Sequence, residues 1–205
     1  MRLLLALFVA VSLSACGASY NYRMTTELES LSDAHFRDAT TVQNGEYDTL
    51  VAFTTRPGFE QKQGPLAKVK VDTFLRGYID KKTRSRTFEV HQLVSYTDRK
   101  RRNYKTAEYQ TPRGPKSVGL TLLWSDVECL LTSSEGCNYQ EHIGFRVSER
   151  MLRDFAASYD REAGKAPSLS LRFVPASGDD FQTRIMAAEV KGLLDKMSEY
   201  EKTTM

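Results

Sequence analysis

The sequence predicts an α+β fold in which a meandering antiparallel sheet is covered by two C-terminal helices. Two observations lead to this prediction. Between Ala67 and Val147, apolar and polar residues alternate in segments separated by short turns, as in antiparallel hairpins. After Ser148 the apolar residues twice recur at the 3.6-residue spacing of a helix, with one strand between the two helices.

The first strand follows the turn signal Asn44-Gly45 and lies in DTLVAFTT, and the loop RPGFEQKQGP comes after it. Two strands with clear alternation follow, and NYKTAEYQT is a weaker third. The apolar faces of the two clear strands consist of Val69, Val71 and Leu75, and then of Phe88, Val90, Val94 and Tyr96.

The second half of the predicted sheet contains a change of phase. Val118, Leu120, Leu122 and Trp124 share a face, and Val127, Cys129 and Leu131 continue it one residue out of step. Such a slip predicts a β-bulge or a bend near Ser125. The next strand, CNYQEHIGFRVS, carries its apolar residues at odd positions.

Two helices complete the prediction. Ser148 is a suitable N-cap for a helix that ends before Gly164 and Pro167, and SLSLRFVP then returns to strand. Ser177 or Asp179 is expected to cap the last helix. Its buried stripe would consist of Ile185, Met186, Val190, Leu193, Leu194 and Met197.

The first residues have the three parts of an export signal, which are Arg2, an apolar run over residues 3–11, and small residues before a cleavage point. The apolar run is shorter than the roughly 20 residues that span a bilayer. Leu13-Ser14-Ala15-Cys16 resembles the lipobox of bacterial lipoproteins. The resemblance implies cleavage before Cys16 and acylation of that residue. The alternative is an ordinary cleaved signal with a chance cysteine.

The predicted organisation is a signal peptide over residues 1–15, a lipidated N-terminus and tether over 16–41, and one globular domain over 42–205. In lipoproteins an aspartate after the cysteine commonly marks retention at the inner membrane, and Gly17 stands here instead. The resemblance therefore implies an outer-membrane anchor, with the domain facing the periplasm and the membrane as a partner.

Composition and net charge limit the kinds of partner that the protein is expected to bind. The 205 residues are 40% hydrophobic and 27% charged, with a net charge of only +3, so nucleic acid is not an expected partner. Two basic turns stand out, DKKTRSR and the run Arg99, Lys100, Arg101 and Arg102. Solvated hairpin tips explain both turns. The alternative is contact with an anionic lipid or an acidic envelope protein, by at most one of them.

Cys129 and Cys137 flank LLTSSEG and would face each other across a hairpin after the phase slip. An exported chain meets an oxidising compartment, so the pair predicts a structural disulfide. Two free thiols, or a redox or metal site, are the alternatives.

The sequence contains no known catalytic or metal-binding motif. His35, His91 and His142 lack metal-ligand spacing, and the sequence contains no nucleophile elbow, zinc helix or phosphate-binding glycine loop. We therefore expect no metal, no cofactor and no identifiable catalytic residue. His91 and His142 are interpreted as surface or rim residues.

Glu141 breaks the regular pattern of its strand, because it lies among the apolar odd positions. A carboxylate there is expected to pair with an arginine, a hydroxyl or backbone amides, to sit at an exposed edge, or to contact a ligand in a pocket.

These observations predict a lipid-anchored envelope protein that acts as a non-catalytic binding or accessory subunit. The alternative is an envelope hydrolase with a dispersed active site. A groove with an apolar floor and a basic rim would favour binding, whereas a deep pocket with convergent polar groups would favour the hydrolase.

Overall fold

The computed structural model of the chain describes residues 29–56, 58–63, 69–111, 114–129, 136–160 and 166–204. The lipobox and Cys16 lie outside these residues. In chain order the elements are α1 (Asp33–Ala39), β1 (Thr41–Gln43), β2 (Leu50–Thr54), β3 (Phe59–Gln63), β4 (Val69–Asp80), β5 (Arg86–Asp98), β6 (Tyr104–Thr111), β7 (Gly114–Gly119), β8 (Thr121–Cys129), β9 (Cys137–Val147), α2 (Glu149–Ala156), β10 (Ser168–Pro175), β11 (Phe181–Met186) and α3 (Ala187–Thr204).

The larger sheet, sheet A, has the strand order β1-β2-β4-β5-β9-β8, with β3 also paired to β4. β2 and β3 share one edge of β4, because β2 pairs with its second half and β3 with its first half. All of these pairs are antiparallel. The long central strands β4, β5 and β9 give the sheet one continuous buried face.

The smaller sheet, sheet B, has the order β11-β10-β6-β7 and is also antiparallel. Its inner side chains pack against sheet A, as in the stacked rings of Tyr109 and Phe145, whose centroids are 5.9 Å apart. The chain passes from sheet A to sheet B after β5 and returns after β7. The main core therefore lies between the two sheets and also includes side chains of α2 and α3, among them Leu152, Leu193 and Met197.

The predicted α+β class with antiparallel strands is confirmed. The finer expectation of a single meander covered by two helices is not, because the strands divide between two sheets. α3 packs directly on sheet A, where a Cβ atom added at Gly77 would lie 2.4 Å from Sδ of Met197. α2 has most of its helix and strand contacts with α3.

Two local predictions are corrected. The last helix begins at Ala187, and Ile185 and Met186 belong to β11, in which Phe181, Thr183 and Ile185 point inward in alternation. The segment forms a strand rather than a helix because β10 supplies backbone hydrogen bonds along its whole length. An isolated helical stripe offers no such partner.

The bulge in β8 lies at a different residue from the one predicted. The register of β8 against β9 shifts between Leu122 and Trp124, so the bulged residue is Leu123 rather than a residue near Ser125. In addition, the stretch predicted as one strand is divided at Leu120, since Val118 lies in β7 of sheet B and Leu122 in β8 of sheet A.

Candidate functional site

The outer face of sheet A, which points away from sheet B, carries most of the unusual side chains. Antiparallel register aligns Asp72 of β4, Leu93 of β5, His142 of β9 and Trp124 of β8 in one row across the sheet. Directly paired residues of neighbouring strands project to the same face. Polar, imidazole and indole groups are thereby brought together from four strands.

At one end of this row lies a polar pocket of about 320 Å³. Asp72 lies at its wall and is held by the backbone N–H of Gly58 at 3.0 Å and by Nε of Arg56 at 3.4 Å. Burial raises the pKa of the Asp72 carboxyl above its ordinary value. The lining residues are Arg56, Glu60, Lys62, Lys70, Val71, Asp72, Leu93, Val94, Ser95, Gln140 and Glu141.

Beside the pocket, Glu89, His91 and His142 form a hydrogen-bonded chain. Oε2 of Glu89 lies 3.0 Å from Nε2 of His91, and Nδ1 of His91 lies 2.8 Å from Nε2 of His142. Tyr78 donates its hydroxyl proton to Glu89 at 3.3 Å, and the ring of Phe74 packs against both imidazoles. His91 is 1% exposed, so its interpretation as a surface or rim residue is wrong.

The hydrogen bonds among Glu89, His91 and His142 determine which ring nitrogen of each histidine carries a hydrogen. Burial lowers the pKa of His91, and burial together with His91, Arg76 and Arg56 lowers the pKa of His142 to about 4. Both rings are therefore neutral at pH 7. A carboxylate only accepts, so His91 donates from Nε2 to Glu89 and accepts at Nδ1 from Nε2–H of His142. Nδ1 of His142 is left as an unprotonated acceptor.

The hydrogen-bonded residues Glu89, His91 and His142 resemble the orienting half of a general-base system. Among the described residues, neither histidine is hydrogen-bonded to a serine, threonine or cysteine side chain. Nor does the described part of the chain contain a group of three or more histidine, cysteine, aspartate or glutamate residues able to hold a metal ion. What the arrangement offers is a fixed hydrogen-bond acceptor at His142.

The bulge in β8 places two apolar side chains on the same face. Trp124 is paired with His142, and the methyl group Cδ1 of Leu123 would lie 3.3 Å from a Cβ atom added at Gly144. Both side chains are solvent-accessible, with Trp124 49% exposed. Bulges often re-aim a side chain next to a functional site.

A second concavity, the α2 groove, lies between α2 and sheet B and has a volume of about 790 Å³. Tyr109, Met151, Phe155 and Leu169 supply its apolar surface. The charged residues around them are of both signs. The lining residues are Tyr109, Gln110, Thr111, Gly114, Pro115, Lys116, Ser148, Arg150, Met151, Asp154, Phe155, Ser158 and Leu169.

Glu141 is 1% exposed and lies on the inner face of sheet A. It accepts a hydrogen bond from the hydroxyl of Tyr96, which in turn accepts one from the backbone N–H of Arg102 at 2.8 Å. Since its side chain points toward Tyr96, Glu141 fits the expected pairing with a hydroxyl. Residue 141 also borders the polar pocket, although alternation along β9 directs its side chain to the face opposite that of Gln140.

Cys129 and Cys137 are directly opposed at the open ends of β8 and β9. They are joined by a disulfide, with a Cα–Cα distance of 4.3 Å. This bond joins the ends of β8 and β9 beside Asp98, where the basic turn begins. Gly136 reaches that point with a φ of 112° and leaves no room for a side chain against the Asp98 carbonyl.

The four residues of the basic turn have different environments. Arg99 and Lys100 are exposed, and the guanidinium of Arg101 lies 6.0 Å from the ring centroid of Tyr139. Arg102 is instead a structural residue. Its guanidinium lies 4.7 Å over the ring of Tyr96, and its Nε is 3.3 Å from Asp98.

The other basic turn lies at the opposite end of β5. Asp80 accepts hydrogen bonds from the backbone of Lys82 and Thr83, which shapes the turn. Arg86 is largely buried and pairs with Glu201 and Glu149 at the ends of α3 and α2. The two turns therefore cannot face one membrane plane together.

The site residues that sequence reasoning missed are Arg56, Asp72, Phe74, Glu89 and Trp124, and the linkage of His91 to His142. Asp72 and Glu89 gave no clear signal in the sequence, because both lie on the polar face of an alternating strand, where charged residues are expected. Which strands are neighbours could not be known, since β9 pairs with β5 from about 50 residues further along the chain.

Comparison with known proteins adds no relative: no family model matches the chain, and neither a curated protein nor a solved structure does. Among the described residues, no helix is long and apolar enough to cross a membrane.

Proposed function

We propose that the chain is a lipid-anchored protein of the bacterial cell envelope, held at the outer membrane through Cys16, and that its domain binds another envelope component without catalysis. The N-terminal lipobox supports the anchor. The α2 groove carries the binding part of the proposal, because it has the apolar floor expected of a binding site, although its rim bears charges of both signs where a basic rim was expected.

The groove suits an apolar segment of a partner protein. Met151 is flexible and polarizable, so it adapts to varied side chains. Lys116, Arg150 and Asp154 border the apolar floor, and Arg150 and Asp154 form an exposed ion pair at 3.8 Å. A rim of both signs favours a polypeptide with mixed polar groups over a purely anionic lipid. Its volume of about 790 Å³ is in the range of binding clefts.

Site-directed photocrosslinking tests the proposal. A photoreactive phenylalanine analogue at Met151 is expected to give an adduct of discrete mass when intact cells are irradiated. The same analogue at Tyr47, which is 93% exposed and does not line the groove, provides the control. Adducts at neither position, or equal adducts at both, would reject the groove as the binding site.

Processing tests the anchor. Cys16→Ala is expected to abolish acyl labelling and release the protein from the membrane fraction. An unmodified mature N-terminus in the wild-type protein, seen by intact-mass measurement, would contradict the lipidated form.

The hydrolase remains a second candidate because one observation favours it. The chain Glu89–His91–His142 fixes an unprotonated imidazole nitrogen beside a polar pocket. If this nitrogen activates a water molecule, His142→Gln should abolish hydrolysis of envelope polymers while the fold is kept. Wild-type protein that releases no product from isolated envelopes would exclude this candidate.

A further inference from the structure

We propose that the outer face of sheet A binds a short neutral oligosaccharide, with Trp124 as the platform on which a sugar ring stacks and His142 as an acceptor for a sugar hydroxyl. The inference deepens the proposed binding function and rests on it only for the choice of envelope sugars as ligands. It concerns a surface separate from the α2 groove.

Trp124 occupies a position suited to stacking on a sugar ring. It is half exposed on a rigid strand, and its pairing with His142 sets a flat apolar ring next to a polar acceptor. A sugar ring has C–H bonds on its faces and hydroxyl groups around its edge. It therefore needs an aromatic surface beside hydrogen-bonding groups, and an aromatic side chain supplies a large rigid contact.

His142 presents a hydrogen-bond acceptor beside Trp124. Its Nε2–H is engaged by His91, which Glu89 orients in turn, so the ring is held in one tautomer. The remaining nitrogen, Nδ1, can only accept. A hydroxyl donor satisfies it, whereas a carboxylate or a phosphate monoester dianion brings no proton.

The polar pocket is lined by both cationic and acidic side chains. Arg56, Lys62 and Lys70 bring donors to its lining, and Glu60 and Asp72 bring acceptors. Ser95 and Gln140 contribute groups that donate and accept. Sugar hydroxyls also do both, so this mixture fits a neutral sugar better than an anionic headgroup.

The surface is long enough for more than one sugar ring. The row from Trp124 on β8 to Asp72 on β4 crosses four adjacent strands. With strands spaced at about 4.8 Å, the row is roughly 14 Å long. This length fits several linked sugars rather than a single one, with one ring on Trp124 and another at the polar pocket.

The composition of the chain provides a direct assay. Trp124 is the single tryptophan of the sequence, so intrinsic tryptophan fluorescence reports on this site alone. We expect a saturable change in emission when the full chain, kept in detergent, is titrated with tri-N-acetylchitotriose or with maltotriose. The two probes distinguish an amino-sugar ligand from a glucose-type ligand.

Calorimetry on variants gives the specificity test. Trp124→Ala should weaken binding of the responding trisaccharide by about tenfold, as expected from the loss of a stacking contact. Val127→Ala is the matched control, because Val127 is 46% exposed on the same strand and pairs with Tyr139 on the inner face. Trp124→Phe should retain part of the affinity and guards against a folding defect in the alanine variant.

No saturable response to either trisaccharide would overturn the inference, as would equal affinities of Trp124→Ala and Val127→Ala. Its failure is separable from that of the proposed function. Saturable trisaccharide binding without crosslinking at Met151 would reject the α2 groove and keep the sugar site. Crosslinking at Met151 without trisaccharide binding would reject the sugar site and keep the groove.

Discussion

Thr55 and Glu189 are 134 residues apart in the chain, and Oγ1 of Thr55 donates a hydrogen bond of 2.5 Å to Oε1 of Glu189. Glu189 is 1% exposed at the first turn of α3. Its carboxyl also receives backbone hydrogen bonds from Met186 and Leu75. The contact joins the start of α3 to the end of β2 and to β4, so one buried carboxyl connects three elements of the core.

Glu189 should make stability depend on pH. Burial raises its pKa to about 8, from an ordinary value of 4.5. Between these values the folded protein holds a proton that the unfolded chain has lost. The free energy of unfolding should therefore fall as pH rises from about 4.5 to 8, by on the order of 2 kcal/mol or more.

Glu189→Gln should remove this slope, since the amide resembles the protonated acid. We expect the variant and the wild type to have similar free energies of unfolding near pH 5, and the variant to have the higher value near pH 9. Urea unfolding across this pH range measures the difference. Glu199→Gln, on the exposed side of the same helix, is the control and should leave the slope unchanged; an unchanged slope in Glu189→Gln would show that another group titrates.

Glu141 and Tyr96 should be coupled. Glu141→Gln keeps the shape but weakens the acceptor for the Tyr96 hydroxyl, and a loss of about 1–2 kcal/mol is expected. Glu141→Ala should cost more, because it also leaves the buried hydroxyl without that acceptor. A double-mutant cycle with Tyr96→Phe measures the coupling. Glu128→Gln on exposed β8 is the control, and melting of both Glu141 variants at the wild-type temperature would disprove the buried contact.

Gly192 determines how closely α1 approaches α3. A Cβ atom there would lie 2.7 Å from the backbone of both Asp33 and Arg37 and 2.8 Å from Cβ of Phe36. Gly192→Ala should therefore displace α1 and cost about 1–3 kcal/mol despite the better helix propensity of alanine. Faster proteolysis near α1 is the readout. Gly119→Ala, where a Cβ meets no atom within 4 Å, is the control; equal proteolysis of the two would refute the steric argument.

The disulfide should stabilise the β8–β9 hairpin. The ring that it closes is short, so Cys129→Ser/Cys137→Ser is expected to fold and to lose roughly 2–3 kcal/mol. Reductant should lower the melting temperature of the wild type toward that of the double variant and leave the variant unaffected. Complete alkylation of both thiols in protein taken from the envelope without reduction would contradict the bond in the mature protein.

Residues of the basic turn should have two different roles: Arg99 and Lys100 in association with a partner, and Arg102 in stabilising the fold. Charge reversal of Arg99 and Lys100 should change stability by less than about 0.5 kcal/mol, since both are exposed. If the turn meets an anionic surface, the same variant should bind anionic phospholipid vesicles more weakly, with the difference vanishing at high salt. Arg102→Glu should instead destabilise the fold, because it removes the contacts with Tyr96 and Asp98. Vesicle cosedimentation that is identical for the wild type and the reversed turn would leave Arg99 and Lys100 as solvated tip residues.

The local pattern of apolar and polar residues was sufficient to predict many of the strands and one helix cap. Alternation along β4, β5 and β9 identified the strands and their buried faces, and Ser148 caps α2 by accepting from the N–H of Met151, as predicted. Glu141 was recognisable because it interrupts such a pattern. These features follow from the sequence because side-chain direction and capping depend on residues only a few positions apart.

The tertiary structure alone decided which of these elements meet. The division into two sheets, the strand at Phe181–Met186 and the burial of His91 depend on pairings between segments far apart in the chain. The chain Glu89–His91–His142 and the row from Asp72 to Trp124 exist only in the register of β4, β5, β9 and β8. Strand neighbours are selected by the burial of whole faces against a common core, and that free energy has no local signature in the sequence.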